Sequence, residues 1–423
     1  MEQALADEQP EIRGTARERQ ASWLFGAINV VAAILLQKFG LPAGSSAIQL
    51  VMPIYFASLG LAVFGLKLQV HPTRLLLYGL MAGAMLLSQM LTMRPTDVTA
   101  IALVLVLYAP MVLIIRLDED VYRRILSLYQ WLMILAVALV FGQHAVQFTL
   151  GYDSWPDLEN FPPALLFPGY NYINEFGYQS PYVKPNGIVF LEPSFLSQFL
   201  AIALVIELVV FRRIVMMAAF VAGLFATMAG TGLLILALSS PFIISRVPVK
   251  MIAAGALVLV AVGGVAASVG WMDTVGDRVG EFSRPGTSGY NRYIRPILRV
   301  SDLVEEPERV VVGHGAGSAP YGQEGDDTVP LTKMFDEYGL IATLLLLLLM
   351  IHAMFVQAPS VQIAAIVFFY YNLGGGGLSV PIYVLFPAVL CANMRLTGPL
   401  RSGQSAQRVE KSAITGPFRF AAA

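Results

Sequence analysis

Long apolar runs separated by short polar breaks dominate this chain of 423 residues. A helix needs roughly 20 mostly apolar residues to cross the hydrocarbon core of a membrane. Runs of about this length predict about twelve membrane-spanning helices. These lie at about 22–40, 46–66, 75–92, 98–115, 125–148, 194–211, 214–228, 231–245, 251–270, 339–357, 361–373 and 378–395. The pattern therefore predicts an all-α polytopic membrane protein.

Three of the predicted spans, 214–228, 231–245 and 361–373, are short for a membrane crossing. The first two flank the sequence Ala-Gly-Thr-Gly at 229–232, and in one interpretation they form a hairpin that enters from the inside. The glycine run at 374–377 interrupts the chain in the same way. Broken backbone at membrane depth requires cover from protein or from a water-filled cavity.

Composition supports the membrane assignment. Hydrophobic residues make up 57% of the chain and charged residues 13%, whereas an ordinary soluble domain carries about 25% charged residues. The mean hydropathy is +0.67. The net charge of −1 indicates no class of partner, and we expect no nucleic-acid partner. Cys391 is the only cysteine, which excludes an intrachain disulfide and argues against a cysteine-based metal site.

The distribution of basic residues predicts the orientation, because cytoplasmic loops carry an excess of Lys and Arg. If the N-terminus is cytoplasmic, the first four outer loops hold only Lys38, Arg94 and Lys184. The inner side then receives Arg13, Arg17, Arg19, Lys67, Arg74, Arg116, Arg123, Arg124, Arg212, Arg213, Arg246, Lys250, Arg395, Arg401, Arg408, Lys411 and Arg419. We therefore predict a cytoplasmic tail at 1–21, a membrane domain at 22–396 and a second cytoplasmic tail at 397–423. The first tail lacks the features of a cleavable signal peptide.

Two long loops are predicted on the outer side, at about 151–193 and 271–338. The first is rich in aromatic residues, which fit either an interfacial belt or a platform on which sugars stack, and we expect short helices and turns there. The second departs from the charge rule. It carries Arg278, Arg284, Arg292, Arg295, Arg299, Arg309 and Lys333.

Three of these arginines, Arg292, Arg295 and Arg299, stand at i, i+3 and i+7 and share one face of a helix. Pro296 favours a helix start or a kink at this place. The alternative interpretation is a solvated surface in which the arginines pair with neighbouring Asp and Glu residues.

A glycine-rich turn, Gly313-His314-Gly-Ala-Gly317, follows further along the second loop. Such a turn lets backbone N–H groups approach an anion closely. No Lys-Ser or Lys-Thr follows these glycines, so a Walker-type phosphate loop is excluded.

Three landmarks occur in a fixed order. The first is Lys184-Pro-Asn-Gly187 followed by Glu192-Pro-Ser; the second is Arg292, about twenty residues before the glycine-rich turn; the third is Asp336-Glu337-Tyr338-Gly339-Leu340. Together with the hydropathy, this arrangement resembles the bacterial O-antigen polymerase (Wzy-type) and O-antigen ligase superfamily, particularly its exopolysaccharide and capsule polymerases. The resemblance covers roughly residues 20–396 in topology and about 180–345 in motifs.

The resemblance implies a GT-C-like glycosyltransferase in the bacterial inner membrane. Such an enzyme moves a growing glycan from undecaprenyl pyrophosphate onto another lipid-linked repeat unit on the periplasmic side. It implies no metal, no nucleotide sugar and no other cofactor. The implied partners are an undecaprenyl-pyrophosphate-linked oligosaccharide and membrane lipid, with a chain-length regulator protein as a further candidate.

The match to the family pattern is incomplete. Lys184 occupies a basic position that is usually Arg in the family, and Arg292 matches the second family arginine. Ligases carry a His where this chain has Thr328. The missing His favours a polymerase over a ligase and leaves the general base unassigned.

A pyrophosphate leaving group explains why arginines would be needed, since arginine stays protonated and grips phosphate with two parallel donors. We predict Arg292 as the first catalytic residue. Arg295, Arg299, Lys184 and Tyr290 are predicted to bind the substrate.

The candidates for the base are Glu192, His314, Asp336 and Glu337, of which we favour the first two. Each has a plainer interpretation. The dipole of a helix favours an acidic residue such as Glu192 in its first turn. His314 is also typical of an exposed turn. Asp336 and Glu337 could cap the next helix.

Three other classes of protein remain open: an O-antigen ligase, a transporter or flippase of polysaccharide precursors, and a non-enzymatic assembly scaffold. Transporters usually concentrate charged groups near the membrane midplane and often contain internal repeats. This chain has few charges within its predicted spans and no recognisable repeat, which favours the polymerase.

Overall fold

The computed structural model describes most of the chain. The described residues are 15–43, 46–65, 68–92, 97–151, 154–156, 161–170, 173–175, 182–244, 247, 264, 280, 283–287, 289–318, 329–375, 377–397 and 400. Apart from residue 264, the predicted span 251–270 lies outside the described residues, and so does Thr328.

Helices account for most of the described structure. The α-helices are α1 (Ala16–Leu35), α2 (Val51–Val63), α3 (Pro72–Thr92), α4 (Val98–Tyr108), α5 (Glu119–Leu150), α6 (Pro193–Ile206), α7 (Ile214–Ala226), α8 (Thr231–Ile244), α9 (Arg295–Val304), α10 (Pro307–Val312), α11 (Pro330–Phe355), α12 (Val361–Leu373) and α13 (Pro381–Pro387). Short 3₁₀ turns lie at Ala109–Val112 and Pro163–Leu165, and π-helical turns at Glu207–Phe211, Tyr290–Ile294 and Ala388–Ala392.

Four helical segments in the described ranges are long and apolar enough to cross a membrane: α3, α5, α11, and α6 together with its π-helical extension to Phe211. Shorter apolar helices occupy the predicted spans at 46–66, 98–115, 214–228, 231–245, 361–373 and 378–395. Large apolar side chains also point outward, among them Leu76 at 61% and Met90 at 76% exposure. Apolar surface of this kind is typical of a helical membrane protein. The number of crossings and the GT-C-like architecture stay predictions.

The prediction of an all-α fold was incomplete, because five short strands form two small sheets. The strands β1 (Gly40–Ala43) and β2 (Ser46–Gln49) make an antiparallel hairpin. The strands β3 (Leu68–Val70), β4 (Leu113–Leu117) and β5 (Met394–Leu396) form a second sheet in that order, with β3 antiparallel and β5 parallel to β4. Strands of three to five residues from distant segments have no local pattern that a sequence window can recognise.

The helix α6 runs through the centre of the bundle. All of its residues except Ser194 are buried. Aromatic rings from α12 and α13 pack against it: the ring of Phe199 stacks on Phe386 at 4.6 Å and meets Tyr370 edge-on at 5.6 Å. This packing fixes the start of α6 at one end of the bundle. Glu192, the residue directly before the helix, is positioned with it.

The bundle has two ends of different character. The three-stranded sheet lies at one end, which we call the basic end, with His71 before α3 and His352 late in α11. At the other end, which we call the loop end, α3 and α5 finish and α6 and α11 begin. There Gln89 of α3 contacts the glycine-rich turn. The predicted site residues all belong to segments at the loop end.

Candidate functional site

The segment from Val183 to Gly187 is bound to α5 by two buried glutamines. The side-chain oxygen of Gln147 accepts the amide of Val183 at 2.6 Å, and that of Gln143 accepts the amide of Gly187 at 2.8 Å. Sequence reasoning missed both glutamines. Their spacing, four residues apart in an apolar helix, places them on one face and is the signal that would have found them.

Lys184 lies within this segment and is partly buried, and its amide donates to the carbonyl oxygen of Asn174 at 2.8 Å. Glu192 occupies the residue position directly before α6 and is also partly buried. Its carboxylate accepts a hydrogen bond from the Ser194 hydroxyl at 3.1 Å and makes no capping bond to an amide of α6. A carboxylate at this end of a helix is favoured by the helix dipole.

The arginine-rich segment of the second loop is helical, as the spacing predicts. A π-helical turn at Tyr290–Ile294 leads directly into α9, and Pro296 stands where the π-helical turn changes to α-helix. The Arg292 backbone lies in the π-helical turn, and its side chain falls outside the described residues. Tyr290 and Arg295 are partly buried. The Tyr293 hydroxyl donates to the carbonyl of Leu373 at 3.0 Å, which holds this turn against the end of α12.

Asp336 is the centre of a polar cluster at the loop end. Its carboxylate is 3% exposed, and its two oxygens have different partners. A guanidinium nitrogen of Arg299 lies 2.9 Å from one oxygen, and Nδ1 of His314 lies 3.0 Å from the other. The interpretation of Asp336 as a helix cap was wrong, because its carboxylate pairs with Arg299 and His314, just before the break in α11 at Gly339.

This geometry determines what the imidazole of His314 can do. A carboxylate only accepts hydrogen bonds, so Nδ1 of His314 is the protonated nitrogen and donates to Asp336. The lone pair is then on Nε2 of the same ring, which can accept a proton from another group. His314 is partly exposed, with 26% of its side chain accessible, so Nε2 can be reached. The arrangement suits a general base oriented by a carboxylate.

Amides of the glycine-rich turn bind other parts of the protein, so the expectation that they approach an anionic ligand was wrong for three of them. The amides of His314 and Gly315 donate to the carbonyl oxygens of Asp336 and Glu337 at 2.7 and 2.9 Å. The amide of Ala316 donates to the side chain of Gln89 at 2.8 Å. These bonds attach the turn to α11 and α3 and thereby position His314.

Two glycines make this attachment possible. Gly313 and Gly339 adopt φ angles of 72° and 77° with ψ near 180°, a region that is essentially restricted to glycine. A Cβ atom on Gly339 would lie 2.1 Å from the carbonyl oxygen of Val311, and one on Gly313 would lie 2.6 Å from the carbonyl oxygen of Glu337. Gly313, in the glycine-rich turn, therefore packs against the backbone of Glu337, and Gly339 packs against the backbone of Val311.

A second ion pair lies beside the Asp336 cluster. The Nζ atom of Lys333 is 3.6 Å from the Glu337 carboxylate, and both residues are buried, at 4% and 1% exposure. Sequence reasoning did not assign Lys333 to the site. Among the residues that the structure describes, no group of three or more His, Cys, Asp or Glu side chains could hold a metal ion.

The fold and the site together define a helical membrane protein with buried, paired charges at one end of its bundle. The family model of the WcaD colanic acid polymerases matches residues 27–396, and the chain belongs to that family. The match confirms the resemblance to Wzy-type repeat-unit polymerases. No curated protein and no solved structure matches the chain.

Proposed function

We propose that this protein elongates an exopolysaccharide at the periplasmic face of the bacterial inner membrane. The growing glycan is transferred from undecaprenyl pyrophosphate onto a new lipid-linked repeat unit. Membership of a polymerase family supports elongation over ligation or transport. The observation that carries the chemistry is the His314 imidazole held by Asp336, which is itself held by Arg299.

In the proposed reaction, a sugar hydroxyl of the acceptor repeat donates its proton to Nε2 of His314. The hydroxyl oxygen forms a bond to the anomeric carbon of the donor glycan. The bond between that carbon and the pyrophosphate oxygen breaks, and its electron pair leaves with undecaprenyl pyrophosphate. The charge of Asp336 stabilises the imidazolium that forms.

The leaving pyrophosphate needs positive charge, and the proposal assigns this to Arg292, with Arg295, Lys184 and Tyr290 as further contacts. Pre-placed donors often supply the largest catalytic contribution, and the loss of one costs about 3 kcal/mol in comparable sites. Arg299 was predicted to bind substrate. Its pairing with Asp336 supports a positioning role instead.

Glu192 has a different role in this proposal. It lies at the start of the central helix α6, next to the segment that carries Lys184. A carboxylate there can accept hydrogen bonds from sugar hydroxyls and orient the acceptor, while His314 takes the proton. A chain-length regulator protein stays a predicted partner.

The decisive variant is Arg292→Ala, compared with Arg284→Ala as a matched control. Arg284 belongs to the same loop and is exposed, and substitutions at exposed positions usually have small effects. We expect Arg292→Ala to lower the polymerisation rate about 100-fold or more at an unchanged protein level, and Arg284→Ala to stay near wild type.

The measurement is the chain-length distribution formed by purified protein from a lipid-linked repeat. Long chains in Arg292→Ala would refute the role of Arg292. Transfer to a lipid A–core acceptor in place of a second repeat would identify a ligase, and movement of precursor without elongation would identify a transporter.

A further inference from the structure

The basic end of the bundle contains a cluster of basic side chains that the proposed reaction does not use. The rings of His71 and His352 lie 4.9 Å apart, edge to face. Arg74, in the first turn of α3, is 1% exposed. Burial, together with the nearby charges of Arg74 and Arg395, lowers the pKa of His71 below its usual value. The positive charge at this place therefore comes from the two arginines, and it favours an anion.

Arg74 has a structural role within this cluster. Its guanidinium donates to the carbonyl oxygens of Ala392 and Ala353 at 2.6 and 3.1 Å, and to that of Met111 at 3.3 Å. These carbonyls accept from its two terminal nitrogens but do not neutralise its charge, and its buried Nε has no hydrogen-bond partner among the described residues. The charge of Arg74 is thus permanent and buried behind the two histidines.

The adjoining sheet adds two more cations. Arg116 on β4 and Arg395 on β5 are register partners. Like charges directly opposite each other destabilise a sheet unless a counter-charge lies between or beside them. Arg116 also donates to the Gln69 side chain at 3.1 Å and is exposed. A ligand with negative charge would relieve the repulsion at this edge.

An apolar groove of about 290 Å³ adjoins the cluster. It lies between α2, the start of α3 and the 3₁₀ turn at Ala109–Val112, and its walls include Phe56, Leu59, Val70, Leu75, Tyr78 and Pro110. Val70 and Leu75 are 55% and 51% exposed, so the groove opens to the side of the bundle. His71 directly follows Val70, and its amide donates to the carbonyl of Val112 at 2.9 Å, so the cluster and the groove are continuous.

We propose that this surface binds one anionic phospholipid, whose phosphate lies against His71, His352 and Arg395 and whose acyl chain fills the groove. A phospholipid joins an anion to a hydrocarbon chain, which is the combination that the cluster and the groove require. The basic end is also the end predicted to face the cytoplasm. Anionic lipids of the cytoplasmic leaflet attract basic segments electrostatically.

The test is native mass spectrometry of the purified full chain with phosphatidylglycerol or phosphatidylcholine as the probe. We expect wild-type protein to retain one phosphatidylglycerol at least tenfold more strongly than phosphatidylcholine. The double variant His71→Gln/Arg395→Gln should lose this preference. Arg124→Gln removes an exposed cation from α5 at the same end and should keep it.

A second pair of variants tests the groove independently of charge. Ala109→Phe places a ring in the groove and should weaken retention of both lipids at least tenfold. Leu76→Phe changes a lipid-facing position of α3 outside the groove and should have no effect. Equal retention of the two lipids by wild type, or an unchanged preference in the double variant, would overturn the proposal. Unchanged binding in Ala109→Phe would overturn the assignment of the groove.

Discussion

Asp336 joins residues that are far apart in the chain. One carboxylate oxygen holds Arg299 and the other holds His314, so α9, the glycine-rich turn and α11 meet at one buried charge. Removing one partner of a buried ion pair destabilises a protein by about 3–5 kcal/mol, because the remaining charge is uncompensated. The cluster therefore has two effects at once: it ties the second loop to the bundle, and it orients the imidazole.

A double-mutant cycle can separate these effects. His314→Gln and Asp336→Asn should each lower the polymerisation rate about 100-fold or more, the range of general-base catalysis. Because residues that act as a unit are not additive, the double variant should be no slower than the slower single variant. Rates are measured from lipid-linked repeats and normalised to folded protein.

The matched control combines His314→Gln with Glu192→Gln. Glu192 belongs to another element and contacts Ser194, so its effect should multiply with that of His314→Gln. If the effects of His314→Gln and Asp336→Asn also multiplied, the two residues would act separately and the proposed dyad would be refuted.

The sequence alone named His314, Arg299 and Asp336 as candidates, but it did not predict that Asp336 pairs with the other two. Asp336 looked like a cap because it precedes an apolar run, and nothing in the local pattern of α11 points to α9. Pairing between distant charges depends on the packing of the helices, which a spacing rule of three or four residues does not describe. Gln143 and Gln147, which hold the segment of Lys184, were missed although their spacing in an apolar helix was a usable signal.

At the scale of elements, apolar length predicts helices well where no charge interrupts them. The predicted span 361–373 is helical with the bounds of α12 (Val361–Leu373), and its crossing of the membrane stays a prediction. The predicted span 339–357 begins at the break in α11, where Gly339 has non-helical backbone angles, but the helical segment before this break, from Pro330, was missed. The residues between Pro330 and Gly339 include Lys333, Asp336 and Glu337. Three charged residues so close together in the sequence suggest a solvated loop. Their charges are buried in pairs in the fold, and only the fold shows that these pairs form.

The kink at Gly339 provides a test of this element. Gly339→Ala should destabilise the protein by about 1–3 kcal/mol from backbone strain alone, and the clash with the Val311 carbonyl adds to this. Gly83→Ala is the control, since Gly83 lies within α3 and a Cβ atom there meets nothing within 4 Å.

Gly83→Ala should stabilise the protein by about 0.5–1 kcal/mol, because alanine loses less backbone entropy in a helix. Thermal unfolding in detergent measures both variants. Equal stability of Gly339→Ala and wild type would show that the α10–α11 contact is not tight in solution.

At the scale of the whole molecule, the two ends of the bundle differ. The residues of the proposed reaction lie at the loop end, and the cluster of basic residues around Arg74 lies at the other. The helix α5 has 32 residues and spans about 48 Å, which exceeds the roughly 30 Å of a hydrocarbon core. Gln143 and Gln147 near its end hold the Lys184 segment, whereas Arg123 and Arg124 near its start belong to the basic end. Hydropathy and the distribution of Lys and Arg predict that these two ends face opposite sides of the membrane.

The proposed function requires that the loop end face the periplasm, and cysteine labelling tests this directly. Cys391 is 1% exposed and should not react, so the native chain serves as background. Glu305→Cys lies at an exposed turn between α9 and α10, and Arg124→Cys lies at an exposed position of α5 near the basic end. A membrane-impermeant maleimide should label Glu305→Cys in intact spheroplasts and Arg124→Cys only after the membrane is permeabilised. The opposite pattern would place His314 and Asp336 in the cytoplasm, where an undecaprenyl-linked glycan that has already crossed the membrane could not reach them, and the proposed reaction would have to be abandoned.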